Sequence, residues 1–354
     1  MLKSKQKEKP AGKRSGVGSF NAKKMLLPVF IGLGVIIWLF ASEFEVESFK
    51  HVRFTLRSAG YILLAFVFIF GRDFGLIWRF KTMTDHLISW KQAYYVHILA
   101  EFTSAVTPSA VGGSALVAFF LNKEGVSGAK STTIMVANLF LDELFFVLIL
   151  PILFLLVPIN EVFNSTSVLS GTIGVLFWTV YAILFCWTLF LYLILFYNSS
   201  WLKPITKVLF RVPFLRRWLH KIDGFFEQLA LASEEIKKKP KKFWLLAFGT
   251  TALSWISRFL VVNALFMAFI DVDNHPVIFA RQVLLWVVMI VSPTPGGSGL
   301  SEYAFKEYYN DIALGVGPIL VIVLIWRIIS YYLYLILGAT VIPQWLNKSF
   351  GKQN

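Results

Sequence analysis

The sequence holds one cysteine, Cys186, among 354 residues. That excludes a disulfide framework within the chain and a cysteine-based metal site, and leaves Cys186 as a small packing residue inside an apolar segment. Charge is scarce as well: 15% of residues are charged, and 20 acidic residues stand against 34 basic ones. There is no phosphate-binding loop of the strand–GxxxxGK[ST]–helix kind, no defensible Ser-His-Asp arrangement, and no cluster of His, Cys, Asp and Glu at metal-ligating spacing. The expectation is therefore no cofactor and no metal. A small-x-small cleavage site is also missing between the first apolar run and Glu43, so the first run reads as an uncleaved helix rather than a signal peptide.

What the chain has in abundance is apolar surface: 57% hydrophobic and 17% aromatic residues, with a mean hydropathy of +0.67. Runs such as "LLPVFIGLGVIIWLFA" and "LFWTVYAILFCWTLFLYLILF" approach the roughly 20 residues needed to cross about 30 Å of hydrocarbon. The fold class expected is all-α and polytopic. Full spans are predicted near 25–42, 58–79, 131–157, 171–197, 243–269 and 316–342, six in all, within a transmembrane domain over 25–345. Flanking it are a basic tail at 1–24 and a short tail at 346–354.

The net charge of +14 belongs to topology rather than to nucleic acid, because the basic residues gather in short segments between apolar runs with no base-reading fold behind them. Placing the N-terminus in the cytoplasm puts 26 of the 34 Lys and Arg residues on the inside, with four outside, namely Lys50, Arg53, Arg57 and Lys306. Such a bias is what the positive-inside rule demands. It predicts an inner or plasma membrane protein with both termini cytoplasmic. Residues 198–242 form the one sizeable cytosolic loop. Leu219, Ile222, Phe225, Phe226 and Leu229 recur there at helical spacing, which suits a surface helix on an anionic leaflet or a solvated basic loop.

Two weaker apolar regions, near 92–121 and 277–305, are each broken at the same relative place. "VTPSAVGGSALVAFF" begins at Val106 and "VSPTPGGSGLSEYAF" at Val291, so V-[ST]-P followed by G-G-S is an internal repeat. The arms beyond the breaks would rise only about 16 Å and about 14 Å as helices. Neither can span, and each region is predicted to be a re-entrant hairpin, tolerated where irregular backbone is buried or lines a cavity. An odd number of full spans separates the two, so they enter from opposite sides. That is the inverted-repeat layout of transporters that bind near the midplane.

The candidate site follows from this layout. Pro108, Gly112, Gly113 and Ser114 in the first break, and Pro293, Pro295, Gly296, Gly297 and Ser298 in the second, would start helices at mid-membrane. A helix start there offers unsatisfied N–H groups to a phosphate. Ionisable residues inside spans normally face a partner or a pathway. They are Asp142, Glu143, Arg258 and Arg327, together with Glu302 one turn into the second re-entrant arm. Asp142 with Arg258 is the candidate structural ion pair. Glu302 either caps its helix or meets a cationic headgroup or a coupling proton. Arg72 and Asp73 are expected to snorkel at the end of a span, and His97 with Glu101, at i and i+4, reads as a satisfied buried pair or a proton relay.

Three stretches together resemble the transmembrane-region family of lysylphosphatidylglycerol synthases, a flippase-like domain. "PTPGGSGLSEYAF" matches that family's P-T-P-G-G-x-G-x-x-E signature through Pro293, Thr294, Pro295, Gly296, Gly297, Gly299 and Glu302. "WRIISYYLYLILG" is similar to its last-span pattern through Arg327, Tyr331 and Gly338, and "TPSAVGG" with Asp142 resembles its first half. Many members carry charges in the first break and ahead of the span aspartate, where this chain has Ser109, Gly112, Gly113, Asn138 and Leu139. The resemblance implies translocation of an anionic or aminoacylated phospholipid, with membrane lipids as partners and an oligomer or a transferase as further ones. The alternatives are a polyprenyl-phosphate or small-anion transporter, or the membrane subunit of a lipid-modifying transferase. With the chain ending at Asn354, an aminoacyl-transferase domain is not expected, and the protein reads as a transporter rather than an enzyme.

Overall fold

The computed structural model describes residues 53–107, 111–163, 170–197, 233–290, 292, 294, 297, 299–312 and 316–350. The predicted tail at 1–24, the predicted span at 25–42 and most of the 198–242 loop lie outside the described residues. Within them the chain is helical, with no strand. The elements are α1 (Leu56–Met83), α2 (Trp90–Val106), α3 (Val111–Lys123), α4 (Gly128–Leu156), the single turn α5 (Ile159–Val162), α6 (Ser170–Phe196), α7 (Lys241–Phe269), α8 (His275–Met289), α9 (Leu300–Tyr309) and α10 (Val316–Arg327). A π-helical turn, Ile328–Tyr332, joins α10 to α11 (Leu333–Phe350).

Five stretches are long and apolar enough to cross a membrane: Leu56–Met83, Gly128–Leu156, Gly174–Phe196, Lys241–Phe269 and Gly317–Ser349. They coincide with the five predicted spans that fall on described residues. Their outer faces keep large apolar side chains exposed, among them Leu63 and Phe70 on α1, Leu155 on α4, Ile183 on α6 and Ile336 on α11. A water-soluble monomer would bury such a surface, whereas hydrocarbon accepts it.

Local chemistry sets the helix starts. At the start of α1, Thr55 Oγ1 accepts the Ser58 N–H while Ser58 Oγ accepts the Thr55 N–H, each at 3.2 Å. Ser89 and Gln92 make the same reciprocal cap on α2, at 3.2 and 2.8 Å. Past the end of α1, Asp85 and His86 hold positive φ angles of 54° and 61°, and Lys81 Nζ donates to the His86 and Ile88 carbonyls across the turn.

The polar contacts at the helix ends fix the topology. Asp85 after α1, Lys130 in the first turn of α4 and Lys239 before α7 form one ion cluster, with Asp85 at 2.9 and 2.5 Å from the two amines. At that same end α2 and α3 return to one another, as Gln92 Nε2 donates to the Glu124 carbonyl at 3.1 Å. Glu124 also receives the Trp345 indole N–H and Lys348 from the end of α11, at 2.7 and 2.8 Å.

The opposite end of the molecule has its own clamp. Arg281 of α8 donates to Asp311 at 2.6 and 2.8 Å, to the Tyr308 carbonyl, and to the Glu161 carbonyl beyond α4. Tyr309 OH, at the end of α9, donates to the Ile278 carbonyl in the first turn of α8 at 2.9 Å. Each broken helix pair, α2–α3 and α8–α9, therefore folds back so that its two outer ends meet, the first at one end of α1, α4 and α7 and the second at the other.

Small residues let the central helices approach. A side chain on Gly75 of α1 would come within 2.8 Å of the Thr250 carbonyl and 3.1 Å of the Ser254 N–H on α7. This is the close packing that membrane helices achieve through Gly, Ser and Thr.

Candidate functional site

The two breaks open onto one cavity of about 290 Å³, with α1, α2, α4, α7, α8 and α10 among the elements around it. Ser104 and Ala105 reach it from the first break, and Ser292, Thr294, Gly297 and Ser301 from the second. The volume gives room for roughly ten or more waters.

At the second break, Gly297 takes φ +68° and its N–H donates to the Thr294 carbonyl at 3.0 Å, closing a tight turn that a side chain would strain. Gly299, at φ +88°, is the N-cap of α9. Its N–H donates to Glu302 Oε2 at 2.7 Å, and Ser301 Oγ donates to the same oxygen at 2.9 Å. Glu302 is wholly buried, and its other oxygen lies 2.6 Å from Arg327 Nε, an ion pair off hydrogen-bond alignment. The Gly299 N–H at the start of α9 is thus met by a carboxylate of the chain itself, the capping alternative for Glu302. Glu302 serves as the cap, neutralised by Arg327.

The first break has a different character. Gly113 is buried, and a side chain there would run into Ser104 Oγ at 2.0 Å and the Ala100 carbonyl at 2.2 Å. Its lack of a side chain lets α3 lie against α2. Gly112 and Ser114 fall in the first turns of α3. Pro108, Pro293, Pro295, Gly296 and Ser298 lie outside the described residues.

The charged spans pair differently from the sequence expectation. Asp142 binds Arg79, not Arg258, at 2.5 and 3.1 Å, and it also accepts the Trp255 indole N–H at 2.9 Å. Arg79, the last residue of the span predicted at 58–79, is only 3% exposed. The reason is that α1 runs on to Met83, one turn past the predicted end. The same extension carries Arg72 and Asp73 away from any interface. Arg72 is 1% exposed, ion-paired with Glu101, 3.2 Å from Asp73, and 4.7 Å over the Tyr334 ring. His97 faces Asp73 at 3.0 Å rather than pairing with Glu101. Arg72, Asp73 and Tyr334 are the residues that sequence reasoning missed. Their signal was two adjacent opposite charges inside an apolar run, which suit a buried network as well as an interface.

Two cavity-lining charges have no hydrogen-bond or ion-pair partner among the described residues. One is Glu143, beside Asp142; the other is Arg258, whose guanidinium lies 4.1 Å from the Trp286 ring centroid and 5.4 Å from that of Trp255. The other cavity arginines, Arg79 and Arg327, each hold a carboxylate. Above the cavity the π turn aims Tyr331 so that its hydroxyl donates to the Ala105 carbonyl at 3.2 Å. Together Arg327 and Tyr331 tie the last span to both breaks. No group of three or more His, Cys, Asp or Glu that could hold a metal ion occurs among the described residues.

Over 334 residues the chain is 24% identical to a protein of Archaeoglobus fulgidus described as a UPF0104 membrane protein, covering 90% of this chain and 97% of that one. No solved structure matches it. Residues 25–338 match the lysylphosphatidylglycerol synthase TM region. The chain is a multi-pass membrane protein, and it belongs to the lysylphosphatidylglycerol synthase TM region family.

Proposed function

We propose that this protein moves an anionic or aminoacylated phospholipid between the leaflets of the cell membrane, with both termini cytoplasmic and the α2–α3 and α8–α9 pairs re-entrant from opposite sides. The observation that carries the reading is Arg258: of the cavity's three arginines it alone lacks a carboxylate partner among the described residues, and it faces the space onto which both breaks open. Glu101 and Asp73 act on it only through space, so the guanidinium keeps its donors free for a counter-charge that enters the cavity. A lipid phosphate supplies that charge, and the guanidinium, set between the Trp255 and Trp286 rings, has a fork that suits two phosphate oxygens.

Glu143 extends the same logic. A carboxylate without a partner suits the amine of an aminoacylated headgroup, while the phosphate stays on Arg258. The paired helices around the cavity supply two halves that rock against each other and expose the headgroup to alternate sides.

The test is headgroup accessibility of labelled phosphatidylglycerol in proteoliposomes. The wild type should move label across the bilayer, and Arg258→Gln, with its fold retained, should lose at least about tenfold of that rate, the loss that one charge-assisted contact carries. Equal rates in the two proteins, or no movement by the wild type, would sink the reading.

A further inference from the structure

A second polar cluster stands beside the cavity, away from both breaks. Asp73 of α1 accepts the Tyr334 hydroxyl of α11 on both oxygens, at 2.6 and 2.8 Å, and its Oδ1 lies 3.0 Å from His97 Nε2 of α2 and 3.2 Å from Arg72. Arg72 pairs with Glu101 and lies over the Tyr334 ring, while the His97 ring meets that ring edge-on at 6.2 Å. His97 is 1% exposed, yet its side chain borders the cavity, as do Glu101, Tyr334 and Arg258. Glu101 interacts electrostatically with His97 and Arg258 as well as with Arg72.

With His97 neutral, Arg72 and Arg258 balance Asp73 and Glu101, and Glu143 of α4 lines the same cavity outside this balanced set. An anion bound at Arg258 adds one negative charge among largely buried groups, where an unbalanced charge is costly. Protonating Glu101 or Asp73 would restore neutrality only by breaking an ion pair with Arg72. His97 can do it without loss, since histidine is the side chain whose ordinary titration lies nearest neutral pH. With Nε2–H donating to Asp73, the added proton goes on Nδ1, and the imidazolium gains attraction to Asp73. On α4, Glu143 lines the same cavity without a partner among the described residues and is the competing proton acceptor; His97 differs from it in gaining a contact, because its imidazolium meets Asp73. On α1 the next charge is Arg79, held by Asp142; on α10 it is Arg327, held by Glu302; α3 carries Lys123 and the residue after it, Glu124, only at its far end.

We propose that the protein takes up one proton at His97 for each anionic headgroup it binds, so that headgroup and proton occupy the membrane interior together. The inference rests on the anion site at Arg258. It makes the transport a co-movement of proton and anion, and a proton gradient a force that can drive it.

The experiment uses the full chain in weakly buffered detergent with a pH-sensitive dye, titrated with dihexanoyl-phosphatidylglycerol between about pH 5.5 and about pH 8.5, while binding is followed separately. Proton uptake should approach one per lipid bound near neutral pH. It should vanish in His97→Gln that still binds, and be absent with zwitterionic dihexanoyl-phosphatidylcholine, which brings no net charge. In the wild type alone, affinity for the anionic lipid should weaken as pH rises, by up to about tenfold per unit over the range of uptake. If His97→Gln does not fold, Glu143→Gln decides the matter: uptake and slope that persist in it leave the proton on His97, and their loss moves the proton to Glu143 and overturns the assignment. Binding of the anionic lipid with no proton taken up and no pH slope overturns the coupling and leaves the Arg258 site standing. No binding at any pH overturns both.

Discussion

Glu302 and Arg327 meet at 2.6 Å between the start of α9 and the end of α10, with the carboxylate wholly buried and its second oxygen capping the Gly299 N–H. One side chain thus neutralises a span arginine and fastens the second break to the last span. A buried pair of this kind is costly to break one partner at a time, because the remaining charge keeps its desolvation penalty.

Glu302→Gln should therefore lower stability by about 3 to 5 kcal/mol, and Arg327→Met by a similar amount. The double variant should lose clearly less than the two losses added together. Thermal unfolding in detergent measures all three. Additive losses would mean that the two groups act separately, and that Glu302 matters only as a cap.

Two glycines make a packing prediction. A side chain at Gly338 of α11 would come 2.2 Å from the Phe102 ring and 2.5 Å from Phe102 Cβ, and one at Gly75 would strike backbone of α7. Neither obstacle is the flexible end of a side chain. Gly338→Ala and Gly75→Ala should each cost about 1 to 3 kcal/mol, whereas Gly60→Ala, with open space around it, should stabilise α1 slightly, by about 0.5 to 1 kcal/mol. Melting temperatures of the three variants would show the contrast, and a neutral Gly338→Ala would contradict the close approach of α2 and α11.

Much of this arrangement was legible in the sequence. Five described spans fall where apolar length put them, and the repeat of proline and glycine marked α2–α3 and α8–α9 as broken pairs, because helix breaking is a local property. Glu302 also stood out, as an acid in the first turn of a helix. The partners were not legible. Asp142 takes Arg79 instead of Arg258 because the end of α1 lies beside α4, a fact of tertiary packing. Arg72 and Asp73 looked interfacial because hydropathy placed the end of α1 one turn early, at 79 rather than Met83. Gly113 was legible as a special position, but sequence could not say whether a ligand or the α2 backbone required the missing side chain.

The ion cluster at one end gives a pH prediction. Burial acts to raise the Asp85 carboxyl, but hydrogen bonds and charge from Lys239 and Lys130 outweigh it and hold the group below its ordinary value. A carboxylate shifted downward contributes stability that is present above the ordinary value near 3.9 and lost as pH falls through the lower folded one. Asp85→Asn keeps a residue that tolerates positive φ and removes the charge. It should cost about 1 kcal/mol at neutral pH, since the side chain is 31% exposed and such pairs are modest. The difference in melting temperature from the wild type should shrink below about pH 4. A difference that stays constant down to about pH 3 would assign Asp85 a purely steric role.

The cavity prediction concerns how Arg258 is held. Its guanidinium lies 4.1 Å from the Trp286 ring centroid, so the indole fixes the plane of the fork as well as stabilising the cation. Arg258→Lys keeps the charge but loses the plane, and Trp286→Ala keeps the arginine but loses the surface that orients it. Both should weaken binding of short-chain phosphatidylglycerol by about 3- to 30-fold, the range that a cation–π contact carries. Arg258→Gln, which removes the charge, should weaken it further. A ranking in which Trp286→Ala binds as well as the wild type would mean that the arginine acts as a point charge alone. The two tryptophans would then be walls of the cavity rather than part of its recognition.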